Sequence, residues 1–207
     1  MRGYTAAQIR AAERPLLEAG EPLMARAAAG LAGVLRRMLA ETPGPLLVLA
    51  GSGDNGGDAL YAAAELAADG ETVWIVPVGS RIHEEARDRA VDAGAREADP
   101  AVAAELARSA AIVLDGILGI GSVGHPALRD TAREVVAALR PLNPRVVAVD
   151  LPSGIDPDTG AVPDPEVLRA EVTVTFGAMK AGLLLEPGAG YAGRVELVDV
   201  GLGLEIS

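Results

Sequence analysis

The sequence predicts an α/β fold, Rossmann-like and doubly wound, with a mostly parallel sheet and an N-terminal helical extension. Three observations predict it. Short runs of Val, Ile, Leu and Ala recur six times along the chain. Stretches of helical composition separate them. Glycines and acidic residues cluster just after the runs rather than before them. A strand buried on both faces reads as a continuous apolar run, and alternation of such runs with helices implies a parallel sheet covered on both sides.

The elements follow in order. Thr5 is placed to cap a short helix through Glu13, and Pro15 is expected to end it or start the next segment. Pro22 suits the first residue of a longer helix to about Leu39, with Leu23, Met24, Ala27, Leu31, Val34, Leu35 and Met38 on one face. Thr42-Pro-Gly-Pro45 stops it. The strand runs are 46–50, 72–78, 111–115, 145–150, 171–176 and 194–200. Helices are expected over 57–68, 82–93, 101–109 and 126–139, the last with Pro126 near its start. No internal repeat or low-complexity linker interrupts the pattern, so residues 1–207 are expected to form a single domain.

Bulk composition narrows the function. The formal net charge is −11, which repels nucleic-acid backbones and anionic membrane surfaces, so neither is an expected partner. There is no cysteine, which excludes disulfides, thiolate metal sites and a Cys nucleophile. The polar N-terminus has no apolar core of a signal peptide. No apolar run approaches the roughly 20 residues of a membrane span. A cytoplasmic location is expected.

In open α/β sheets ligands bind beyond the carboxyl ends of the strands, so the loops after each run matter most. After the first run, Gly51-Ser-Gly53-Asp54-Asn55-Gly56-Gly57-Asp58 contains the dinucleotide spacing G-x-G-x-x-G. Its glycines let backbone approach a ligand at a helix start. A second copy of the spacing, Gly119-Ile120-Gly121-Ser122-Val123-Gly124, follows the third run and leads to His125. Asp115 ends that run. Asp150 ends the fourth and enters a Pro-Ser153-Gly turn; Asp156 and Asp158 follow as ordinary turn residues. Lys180 follows the fifth run in an apolar stretch. The second run ends Val76-Pro77-Val78-Gly79-Ser80, without the acid that binds ribose in dinucleotide dehydrogenases. Ser80 and Arg81 are left as possible phosphate contacts. With only His83 and His125 available, and no G-x-S-x-G, a Ser-His-Asp hydrolase is rejected.

Asp54, Asp58, Asp115 and Asp150 near one bound anion would repel it, and a cation among them relieves this. Asn55, Asp115, Ser153 and backbone carbonyls offer only oxygens, which suit a hard, weakly charged ion better than zinc.

Taken together, the loops resemble the NAD(P)H-hydrate epimerase family, also called the YjeF N-terminal domain. The family pattern has an early Glu and a Leu-Met helix, like Glu13 and Leu23-Met24. It has G-x-G-N-N-G-G-D-G, like 51–59; D-x-x-x-G-x-G, like Asp115 to Gly121; D-[IL]-P-S-G-x-D, like Asp150 to Asp156; and T-F-G-x-x-K-x-G, like Thr175 to Gly182. The resemblance spans nearly the whole chain.

It implies epimerisation of R- and S-NADHX or NADPHX, the hydrates of NADH and NADPH, in nucleotide repair. It also implies a potassium ion at Asn55, Asp115 and Ser153, and substrate contacts at 54–58, 119–125 and Asp150. Asp150 is the candidate general acid/base and Lys180 its electrostatic partner. A homodimer through the N-terminal helices is expected, and so is association with a dehydratase protein or domain, which in many relatives begins about where VDVGLGLEIS stands here. Three departures stand out: Asp54 replaces the usual Asn, Ala59 replaces the usual Gly and is expected to narrow the pocket, and Met179 and Ala181 replace prolines. Two alternatives remain open at this point, a non-catalytic binding or scaffold module of the same fold and an NAD(P)-dependent oxidoreductase.

Overall fold

A computed structural model describes residues 2–204. The strands are β1 (Leu46–Ala50), β2 (Val73–Pro77), β3 (Arg96–Glu97), β4 (Ile112–Gly116), β5 (Val146–Val149), β6 (Val172–Phe176) and β7 (Arg194–Val198). The helices are α1 (Ala6–Glu18), α2 (Leu23–Glu41), α3 (Asp54–Ala68), α4 (Glu84–Asp92), α5 (Ala103–Ser109), α6 (Asp130–Leu139) and α7 (Ala189–Ala192). All seven strands form one sheet in the order β3-β2-β1-β4-β5-β6-β7, and every pairing is parallel. The α/β, doubly wound expectation holds.

Alternation along each strand divides the core. Leu46, Val48 and Ala50 face the layer of α1–α4, packing with Leu31, Leu35 and Leu60. Leu47 and Leu49 face α5 and α6, packing with Ala107, Val135 and Leu139. All five β1 residues are fully buried, which is why this strand reads as an unbroken apolar run.

Several elements differ from the sequence-based expectations. α1 runs through Pro15 to Glu18. The missing Pro15 N–H orphans only the Ala11 carbonyl, and residue 11 is exposed, so water can satisfy it. α3 begins at Asp54 rather than 57, inside the glycine loop. α6 begins at Asp130 rather than 126; a 3₁₀ turn over Ile120–Ser122 comes first. β3 was not expected, because two exposed residues carry no apolar run.

The N-terminal segment is tied to the far end of the sequence. Tyr4 bridges Lys180 in parallel, with Tyr4 N–H donating to the Met179 carbonyl at 2.8 Å and Ala181 N–H to the Tyr4 carbonyl at 2.9 Å. Ala6 N–H, at the start of α1, donates to Asp158 Oδ1 at 2.6 Å. Thr5 and Gln8 close a capping box on the same turn. These anchors lay α1 over the carboxyl ends of the strands.

Candidate active site

The chain runs from β1 towards β2 on one side and resumes at β4 on the other, so the sheet reverses between β1 and β4. A cleft of about 960 Å³ lies there, beyond the strand ends, where open α/β sheets bind ligands. Its residues come from the loops after β1, β2 and β4, from the ends of β5 and β6, and from α1, α2 and the start of α6.

Of the residues singled out in sequence, Asp54, Asn55, Asp58, Gly119, Ile120, Gly121, Ser122, His125, Asp150 and Lys180 line this cleft. Gly56, Gly57, Val123 and Gly124 do not. Gly56 serves packing: a Cβ there would lie 2.2 Å from the Gly51 carbonyl oxygen. Gly51 lets the β1 and β4 loops touch, since a Cβ there would meet the Ile117 carbonyl oxygen at 2.0 Å. No side chain caps α3. Gly57 N–H already bonds to the Gly53 carbonyl, and the three N–H groups before it have no intrahelical partner, as at any helix start. A helix start of this kind suits an anion, and Asp54 and Asn55 line the cleft.

The floor is a buried ion pair. Lys180, 2% exposed, pairs with Asp150 Oδ1 and donates to the Phe176 carbonyl at 2.8 Å. Thr175 Oγ1 donates to the same Asp150 oxygen at 3.4 Å. Backbone geometry sets the pair. Leu151 N–H donates to the Val149 carbonyl around Asp150 at φ 68°, and Ala178 N–H donates to the Phe176 carbonyl around Gly177 at φ 70°. Adjacent strands β5 and β6 thus end in matching γ-turns. The second uses glycine, whereas the first puts an aspartate in the left-handed region, a strained arrangement of the kind that concentrates at functional sites.

Three further carboxylates surround the pair. Asp58, on α3, has its Oδ1 buried without a partner among the described residues. Burial pushes its carboxyl up to about 8; Asp150, Asp54 and Glu13 add to the rise and Lys180 opposes it. Glu13, from α1, is also raised, chiefly by burial, with Lys180 opposing and Asp150 adding. Asp54 stands exposed at the rim. Glu13 and Arg10 are cleft residues that the motifs alone did not nominate, although Glu13 belongs to the family pattern; Arg10 donates to the Ile120 carbonyl at 3.3 Å.

Beneath the loops lies a second polar cluster. Asp115 is 1% exposed, and burial raises its carboxyl while three donors oppose that. Ser153 Oγ donates to Asp115 Oδ1 at 2.6 Å, Ser153 N–H to Oδ2 at 2.9 Å and Ile117 N–H to Oδ1 at 3.4 Å. Ser153 Oγ accepts from Leu118 N–H at 2.9 Å and lies 3.4 Å from the Leu118 carbonyl oxygen. Asn55 is buried with its Nδ2 unpartnered, and a Cβ on Gly119 would come within 3.1 Å of Asn55 Oδ1. Gly119 therefore leaves the amide room. The set is all oxygen with one carboxylate, a chemistry that fits a hard, weakly charged cation.

Asp156 and Asp158 are latches rather than plain turn residues. Asp156 accepts from Gly124 N–H at 2.7 Å, Thr159 N–H at 2.9 Å, Thr159 Oγ1 at 3.0 Å and Asp158 N–H at 3.0 Å. Burial pushes its carboxyl up, but these donors outweigh it and hold it below the usual range. Ala59 is fully buried and packs towards Gly116, where a Cβ would meet Ala59 Cβ at 2.5 Å. It does not line the cleft, so the expected narrowing is absent. His83 caps α4 through Nδ1 and packs edge-on against Tyr61.

Residues 20–182 match the family model described as YjeF-related protein N-terminus. A protein of Clavibacter michiganensis subsp. michiganensis named NAD(P)H-hydrate epimerase is 58% identical over 212 residues, covering 98% of this chain and 91% of that protein. A Mycobacterium tuberculosis protein named bifunctional NAD(P)H-hydrate repair enzyme Nnr is 41% identical over 209 residues, covering 97% of this chain but 42% of that longer protein. The crystal structure of yeast ynu0 superposes with a TM-score of 0.78 at 19% identity, covering 95% of this chain and 87% of the yeast chain, a likeness of fold.

Proposed function

The chain belongs to the family of YjeF-related protein N-termini, and from that premise we propose that its cleft epimerises the R and S hydrates of NADH and NADPH for nucleotide repair. The enzyme is an isomerase. The observation that carries the site assignment is the buried Asp150–Lys180 pair on the cleft floor.

The hydrated ring carries its hydroxyl on C6, next to N1. Inversion at C6 follows if the hydroxyl leaves as water while the N1 lone pair forms an iminium, and water then returns to the other face. Proton transfer at that oxygen is needed in both directions. Asp150 is the general acid/base. Lys180 fixes its carboxylate and offsets the charge it gains or loses. The acid-rich cleft, puzzling for an anionic ligand, suits a reaction whose intermediate is a cation: Asp54 and Asp150 stabilise positive charge that develops only beyond the ground state. The free N–H groups of α3 receive substrate phosphate. Gly119, Ile120, Gly121, Ser122 and His125 complete the substrate contacts. Leu17, Leu23, Met24 and Phe176 give the cleft an apolar wall.

Asn55, Asp115 and Ser153 hold potassium in this reading, with the Leu118 carbonyl beside them. When bound, the ion supplies positive charge beneath the acidic loops. The protein works in the cytoplasm as a single domain and a homodimer, alongside a dehydratase that consumes one epimer.

Asp150→Asn tests the assignment. Epimerisation of isolated NADHX should fall by about 10²-fold or more in a variant that still folds. An unchanged rate would remove Asp150 from the mechanism.

A further inference from the structure

Loss and return of a hydroxyl on opposite faces of C6 raises a geometric difficulty. A side chain fixed on one side of the ring reaches the oxygen on that side alone. The leaving hydroxyl and the returning one lie on opposite sides, so inversion calls for two proton-handling groups. Asp150 supplies one. Lys180 is buried against Asp150 and the Phe176 carbonyl, which leaves Glu13, Asp54, Asp58, Asp130 and His125 among the titratable residues of the cleft. Of these only Asp58 has a carboxylate oxygen buried without a partner among the described residues.

We propose that Asp58 is the second catalytic acid/base, acting on the ring face opposite the one served by Asp150. This rests on the reading of the cleft as the epimerase site. The two carboxylates enter from different elements, Asp58 from α3 and Asp150 from the end of β5, and both line the cleft. They are also partnered differently. Asp150 is held by Lys180 and Thr175, whereas Asp58 Oδ1 is buried with no partner among the described residues. A buried, unsatisfied acceptor is costly to keep, and a waiting substrate hydroxyl accounts for it. The charged groups acting on Asp58 are Asp54 on its own helix, Asp150 from β5, Glu13 from α1 and Lys180 after β6. Burial raises the Asp58 carboxyl most, and the three acidic neighbours add to the rise, which favours its protonated, proton-donating form.

The step balances without a co-reactant. Asp58 gives its proton to the C6 hydroxyl. The C6–O bond breaks, its electron pair leaves with water, and the N1 lone pair forms the iminium. A water adds to the other face of C6, the iminium π pair returns to N1, and the Asp150 carboxylate takes the proton that the adding water loses. The reverse epimerisation, or exchange with solvent, restores the starting protonation states.

Labelled water separates this from a one-acid mechanism. Each epimer of NADHX is incubated with protein in H₂¹⁸O, and ¹⁸O at the C6 hydroxyl and the epimer ratio are followed, with rates above the protein-free background counted. Asp58→Asn should slow epimerisation about 10²-fold or more. It should still pass label much faster into one epimer, the one whose hydroxyl Asp150 can reach, than into the other. Asp58→Glu, which keeps an acid, should return label to both epimers. The proposal is overturned if Asp58→Asn epimerises at the wild-type rate, or if label enters both epimers equally fast or neither while the variant's melting curve shows it folded. Failure of the wild-type protein to accelerate epimerisation sinks the underlying reading instead.

Discussion

Two loops in this molecule share the spacing G-x-G-x-x-G, and they build different things. The loop after β1 goes straight into a helix: Gly53 is the N-cap and α3 starts at Asp54. Its outer glycines exist for close approach, since Gly51 touches the β4 loop and Gly56 lies against Gly51. The loop after β4 makes a 3₁₀ turn, reaches Gly124 at φ 75° and passes through Pro126 before α6 begins at Asp130. It is held from outside, by the Asp156 carboxylate on Gly124 N–H. The first loop is rigid because of what its glycines lack, and the second because of what another loop supplies. A glycine spacing thus locates a site without saying which atoms face it.

Substitutions that treat the two loops alike should bring out the difference. The largest effect is expected in the first loop. Gly56→Ala puts a methyl 2.2 Å from a backbone oxygen that cannot swing away. It should cost about 3 kcal/mol, the upper end of ordinary overpacking, and lower Tm by roughly 10 °C; an unchanged Tm would mean that α3 does not press on β1 as described.

Releasing the second loop comes next. Asp156→Asn weakens the bond to Gly124 and should cost about 2 kcal/mol, with KM rising more than kcat falls. The sign with pH is fixed. The folded carboxyl is held below its usual value, so its stabilisation is present above the unfolded pKa and lost as pH falls through the folded one. The gap in Tm between wild type and Asp156→Asn should therefore close as the pH drops below about 4. A gap independent of pH would show that the carboxylate's charge is not what holds the loop.

The smallest effect is expected at Gly121, where a Cβ would come no nearer than 4.0 Å to Arg10. Gly121→Ala should change stability by less than about 0.5 kcal/mol in denaturant titration. A large loss there would put the second loop under the same packing constraint as the first.

Much of this was legible in the chain. Val, Ile and Leu runs such as 46–50 read as strands because parallel strands are buried on both faces. Asp150 and Lys180 were legible because each ends or follows such a run. What the sequence hid depends on contacts between distant segments. Asp158 meets the start of α1 across 152 positions, and nothing local marks that distance. Glu13 and Arg10 reach the cleft only because that contact and the Tyr4 bridge lay α1 over it. Asp58 looked like one more loop acid; its lone buried oxygen appears only once α3 is seen to begin at Asp54. β3 was invisible because its two residues are exposed.

The most direct test of the central claim follows a single purified epimer of NADHX by chiral separation, with and without the protein. The account predicts that the protein brings R and S to equilibrium well ahead of the spontaneous rate. Interconversion no faster than in buffer alone, with the nucleotide demonstrably bound, would contradict it and leave the cleft a binding site without catalysis.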